Sequence, residues 1–170
     1  LKIKKENSKS SVRPDLLRDK IKLLHVTSSL KMGGAEHVLY TLAVHLDSNQ
    51  FDQHVIYFHE GPYAEKLRAL GIPTRQVKGL LFRYDPVFFY RLYNEIKKSS
   101  PDCMHTLLWV ANCAGRLFAR MQSIPCLSVF HNDVENDGKV RNLIDWLTLR
   151  FAGKLVAVSA PVKDSAQKYL

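Results

Sequence analysis

IKLLHVTSSLKMGGAEHVLYTLAVHL, residues 21–46, changes character twice along its length. Ile21 to Val26 is an apolar run with β-branched members. Thr27, Ser28 and Ser29 lead from it toward the glycine pair Gly33 and Gly34. From Ala35 the apolar residues recur at helical spacing, at Ala35, Val38, Leu39, Leu42, Ala43 and Leu46. Strand, glycine-rich turn and helix in this order form an arrangement used to hold phosphate. Paired glycines let the backbone approach a ligand because no Cβ stands in the way. The following helix points unpaired N–H groups and a partial positive charge at the turn. Gly33 and Gly34 are therefore candidate ligand-binding positions, although a turn that only connects two elements has the same spacing. The fingerprint G-x-G-x-x-G is missing, so the motif gives no support to a nicotinamide or flavin cofactor.

The same alternation continues outward. His54–Phe58 reads as a second strand after the polar break Asp47–Asp52, and Tyr63–Leu70 as a short helix stopped by Gly71 and Pro73. Thr74–Val77 is a third strand. Asp85 is the natural N-cap of a helix with Pro86 at its first position, running to about Lys98. Asp102–Thr106 is a fourth strand that Leu107 and Leu108 can extend, Val110–Met121 a helix rich in small residues, and Cys126–Phe130 a fifth strand. Val140–Phe151 is a helix ended by Gly153, Lys154–Val158 a sixth strand, and Ser159 opens a last helix. Short, mostly apolar strands alternating with helices predict an α/β fold, a doubly wound Rossmann-like parallel sheet in order 3-2-1-4-5-6 with helices on both faces.

At 170 residues the chain fits one domain, residues 21–170, preceded by a basic tail, residues 1–20, expected to be mobile. The hydrophobic share of 46% and charged share of 24% are those of a soluble globular protein. No apolar run approaches the roughly 18 residues of a membrane span, and no stretch has the charged, apolar and small-residue order of a signal peptide. Cys103, Cys113 and Cys126 lack metal-ligand spacing and sit in or beside apolar segments, as free thiols in a reducing cytoplasm would. No metal site and no cofactor is expected. The formal net charge of +9 suggests anionic partners, such as phosphorylated substrates or acidic lipid. Nucleic acid would also suit the charge, but no nucleic-acid motif accompanies it.

Open α/β sheets bind ligands at the carboxyl ends of their strands, where the strand order reverses. In the order above, three strand ends lie side by side: Thr27–Gly34, then His105 and Thr106, then His131, Asn132 and Asp133. They would line one cleft, with Asn112 near the start of the next helix facing it. His131 follows CLSVF and precedes a polar stretch, so its imidazole is expected at a strand tip, able to donate to a sugar hydroxyl or phosphate or to move a proton.

These stretches resemble the N-terminal domain of GT4-type glycosyltransferases of the GT-B fold. Gly33, Gly34, Ala35 and Glu36 match that family's Gly-Gly-Ala-Glu; His37 stands where an arginine often follows. PDCMHTLLWVANCAGRLFARMQSIP matches at Asp102, His105, Gly115, Arg116 and Pro125, with Leu107 in place of a second histidine. PCLSVFHND matches the strand ending in His-Asn or His-Asp, and KLVAVSAPVKD the sixth strand and its helix. The resemblance implies that His131 is the catalytic-site residue contacting the donor sugar. It also implies that Arg141 lies in a helix that often carries arginines, a candidate for an anionic acceptor. It further implies an acceptor-binding half of a retaining, nucleotide-sugar-dependent, metal-independent enzyme. Its partners would be a nucleotide-sugar donor, held mainly by a C-terminal donor-binding domain not found within these residues, and a glycan, phosphorylated or lipid-linked acceptor of the cell envelope. The location implied is cytoplasmic, peripheral on the inner face of the cytoplasmic membrane. Within Leu80–Lys98, Phe88, Leu92 and Ile96 are expected to form the buried stripe of the helix, which leaves the Phe82-Arg83-Tyr84 tip and the basic helix end at Lys97 and Lys98 as the expected contact with an anionic membrane surface. A second reading is a non-catalytic Rossmann-like module that pairs with a separate chain or binds an anionic ligand.

Overall fold

The structure is a computed structural model that describes residues 20–79, 85–132 and 138–169. The tail up to residue 19, the Phe82-Arg83-Tyr84 tip and Asp133 lie outside the described residues. Strand β1 (Ile21–Ser29) pairs in parallel on both sides, with β2 (Phe51–His59) and with β4 (Cys103–Leu107). Together with β3 (Thr74–Gln76), β5 (Cys126–Phe130) and β6 (Lys154–Ala157) these strands form a sheet in the order 3-2-1-4-5-6, as expected. The helices are α1 (Gly34–His45), α2 (Pro62–Ala69), α3 (Pro86–Ser99), α4 (Trp109–Met121), α5 (Lys139–Leu149) and α6 (Ala160–Tyr169). β2 starts at Phe51, ahead of the expected His54, because Phe51 and Asp52 pair with Ile21 and Lys22 of β1. Register with a neighbour overrides the local polarity of Asp52 and Gln53.

Successive residues of β1 face opposite layers. Leu24 and Val26 pack with Phe88, Leu92 and Ile96 of α3 and Ala111 and Phe118 of α4. On the other face, Leu39 and Ala43 of α1 and Ala64 and Leu67 of α2 pack on Val55, Tyr57 and Leu107. Helix α3 buries its i, i+4 stripe Phe88, Leu92 and Ile96 completely. Its start is fixed by Asp85, whose Oδ1 accepts from the backbone N–H of Val87 at 2.9 Å and of Phe88 at 3.3 Å.

Two glycines allow close approach. A Cβ on Gly61 would lie 2.2 Å from the carbonyl oxygen of Leu30, so Gly61 lets the β2–α2 turn abut the loop after β1. The N–H groups of Leu30 and Tyr63 close that contact, onto His59 O at 3.0 Å and Leu30 O at 3.1 Å. Gly115 of α4 sits over Thr106, whose Cγ2 a Cβ would meet at 2.5 Å. The next residue, Arg116, is fully buried and donates through Nη2 to Asp145 Oδ1, tying α4 to α5.

Helix α5 is unusual in its orientation. Asp145 is its buried residue, while Val140, Leu143, Trp146 and Leu147 are exposed. At the edge of the sheet among the described residues, β6 likewise exposes Leu155 and Val156. Among the described residues, no helix is long and apolar enough to cross a membrane.

Candidate functional site

The strand ends converge as the topology requires. Gly33 is the extended N-cap of α1 and offers no side-chain cap, so the first N–H groups of the helix stay available at the switch point. Glu36, in the first turn, folds back over Gly33; a Cβ there would lie 2.4 Å from its Oε2. The carboxylate suits the positive end of the helix, and Glu36 is buried. The apolar positions Val38 and Leu42 point outward instead, because the helix turns Glu36 toward the strand ends. A Cβ on Gly34 would meet nothing within 4 Å, so the fold itself does not require glycine there.

His131 follows directly on β5, half-buried. Its Nε2 is buried and makes no hydrogen bond among the described residues. Burial lowers its pKa below the usual histidine value, opposed by the nearby negative charge of Glu36. The imidazole is thus neutral near pH 7. His131, Asn132, Arg141 and Asn112 line one small crevice together with Trp109 and Asp145. The Arg141 guanidinium lies over the Trp109 ring, 4.8 Å from its centroid. Trp109 begins α4, directly after Leu108, whose φ of 69° is a left-handed turn carried by a non-glycine residue. Such strain persists where the surroundings impose a sharp strand-to-helix corner.

Three candidates are engaged within the fold instead of free in the cleft. Thr106 is completely buried under α4. Its hydroxyl donates to Asn112 Oδ1 at 2.8 Å and lies 2.8 Å from the Ser128 hydroxyl. β4 runs to Leu107, within the extension the sequence allows, so its tip is not Thr106. Asn112 borders the crevice, but its amide is engaged within the fold, Nδ2 donating to Val129 O at 2.9 Å. These two side chains fasten α4 to β4 and β5.

His105 lies on the opposite face of the sheet, beside His25 in the β1–β4 register. The two Nδ1 atoms are 2.9 Å apart, and the rings meet edge-on. His25 Nε2 lies 3.3 Å from Gln53 Oε1, and Gln53 Nε2 donates to Ala43 O at 3.1 Å. Because the backbone oxygen fixes the amide, Gln53 Oε1 accepts from His25 Nε2–H. His25 Nδ1 is then the acceptor and His105 Nδ1 carries the proton. Burial lowers the pKa of His25 to about 4, against the hydrogen bond it donates to Gln53. It lowers that of His105 to about 3, helped by repulsion from His25 and His131. Both rings are neutral beneath the cleft floor. Glu36, Trp109 and this His25–Gln53 pair were not singled out as site residues from sequence; for Glu36 the signal was there, a carboxylate in the first turn after a glycine N-cap.

A family model described as Glycosyltransferase Family 4 matches residues 32–170. An Escherichia coli protein, UDP-Gal:alpha-D-GlcNAc-diphosphoundecaprenol alpha-1,3-galactosyltransferase, is 30% identical over 112 residues, 64% of this chain and 29% of the relative. Anabaena HepE, solved in complex with UDP and glucose, superposes with a TM-score of 0.73 at 17% identity, covering 88% of this chain and 41% of that one. The lipopolysaccharide outer core galactosyltransferase WaaB superposes with a TM-score of 0.66 at 13% identity, over 88% of this chain and 42% of its own. The chain thus spans less than half the length of these relatives. With the strand order, the glycine turn and the strand-end histidine in place, and most of its length matched, the chain belongs to Glycosyltransferase Family 4.

Proposed function

We propose that this chain is the acceptor-binding half of a retaining glycosyltransferase that moves a sugar from a nucleotide donor, in the making of a lipid-linked or other cell-envelope glycan. The observation that carries the reading is His131: a neutral imidazole at the end of β5, its Nε2 buried and unbonded among the described residues, beside a crevice rimmed by Asn132 and Arg141. Nε2–H donates to a hydroxyl of the donor sugar, and its neutrality spares the site a competing charge. The Arg141 guanidinium favours phosphate oxygens. The names of the relatives support a UDP-hexose donor and an acceptor carried on a diphospholipid. The nucleotide is held by a second domain of the longer protein, which works peripherally on the inner face of the cytoplasmic membrane.

The test is transfer from UDP-hexoses to N-acetylglucosaminyl diphospholipid by the longer enzyme, with product anomers read by NMR. Net retention is expected. His131→Ala is expected to lower kcat by roughly 10- to 100-fold, the worth of one hydrogen bond to the reacting sugar. An inverted product, or an unchanged kcat in His131→Ala, overturns the reading. The 170-residue chain alone is expected to transfer nothing.

A further inference from the structure

A second cavity opens beside the crevice. It is an apolar groove of about 440 Å³ between α3, α4 and α5, lined among others by Phe89, Val110, Leu117, Phe118 and Ile144. That size lies within the ~300–1,000 Å³ typical of ligand pockets. The Thr148 hydroxyl on its wall is occupied, donating to Ile144 O at 2.9 Å, so the groove offers little to a polar ligand. Trp109 lines both this groove and the crevice of His131 and Arg141. Its indole Nε1 is buried and makes no hydrogen bond among the described residues. At this one residue a cation, an unused N–H donor and the start of α4 meet the mouth of an apolar channel.

We propose that the groove holds the proximal prenyl units of a polyprenyl diphosphate acceptor, with the diphosphate at Trp109 and Arg141. The chain leaves the crevice over the Trp109 ring, and the indole N–H donates to a phosphate oxygen. Leu117 forms the exposed rim where the chain emerges. The enclosed part of the crevice is only about 30 Å³, room for one water, so the sugar and diphosphate lie against its rim. This assignment rests on the lipid-linked acceptor of the preceding section.

Geranylgeranyl diphosphate and inorganic diphosphate, each below micelle-forming concentration, are titrated calorimetrically into the 170-residue chain. A parallel titration follows the fluorescence of Trp109 in a Trp146→Phe background, where it is the single tryptophan. The prenylated probe is expected to bind about tenfold tighter or more, since each buried methylene contributes to affinity, and to shift Trp109 emission. Leu117→Glu on the rim is expected to remove that gain and leave the affinity for inorganic diphosphate unchanged. Leu143→Glu, on the outer face of α5, is expected to change neither. Equal affinities for the two probes overturn the assignment. So does a prenyl gain that survives Leu117→Glu, or one lost equally in Leu143→Glu, which would place the chain on the outer face of α5. If the longer enzyme takes a water-soluble acceptor as readily as a lipid-linked one, the acceptor reading falls. If it requires the lipid while the groove shows no prenyl gain, only the groove falls.

Discussion

The amide of Gln53 sets proton positions two residues away. Anchored on Ala43 O, it places a hydrogen on His25 Nε2 and, through the shared Nδ1 contact, on His105 Nδ1. Imidazole ¹⁵N correlation spectra near pH 7 are expected to show His25 as the Nε2–H tautomer and His105 as the Nδ1–H tautomer, and Gln53→Leu to blur both assignments. A native His105 bearing its proton on Nε2 would contradict the network. Sequence alone could place His131, because the apolar run CLSVF ends against a polar residue. It could not reveal His25 with His105: the two are 80 positions apart and meet only through the pairing of β1 with β4. Thr106 was misplaced for a related reason. Its hydroxyl is held against Ser128, a partner 22 positions away that is set by the pairing of β4 with β5.

At the scale of elements, periodicity and caps did most of the predictive work. The stripe of α3, the cap Asp85, strand β5 and the strand order all follow from local pattern. Helix α5 does not. Its apolar residues would be read as the buried face, yet the structure turns Asp145 inward because Arg116 of α4 needs a counter-charge. Cys113 lies between them, its thiol pushed up to about 12 by burial and then by Asp145, so it stays protonated. Asp145→Ala would strand a fully buried guanidinium. The expected cost is about 3–5 kcal/mol, measured by urea denaturation. Asp145→Asn keeps one hydrogen bond and is expected to cost less. A change under about 1 kcal/mol for Asp145→Ala would mean that the pair does not hold α4 to α5.

For the molecule as a whole, the buried histidine pair makes stability depend on pH. Both folded-state pKa values, about 4 for His25 and about 3 for His105, lie below the unfolded value of 6.5. As pH falls, the unfolded chain therefore binds protons first. The contribution to stability is complete above 6.5 and is lost as pH falls through the interval down to about 4 and about 3, at up to ~1.4 kcal/mol per pH unit for each ring. Denaturant midpoints are expected to drop steadily between about pH 6.5 and pH 4.5; a flat profile would show that the rings are not held neutral. The sheet edge bears on how the chain behaves in a test tube. Among the described residues no strand pairs with the outer side of β6, which is flanked by exposed Leu155 and Val156, and in the 170-residue chain this edge is a template onto which a second copy can add a strand. Concentrated samples are therefore expected to scatter more light with time, and Val156→Lys, a gatekeeper charge on that edge, to keep them clear.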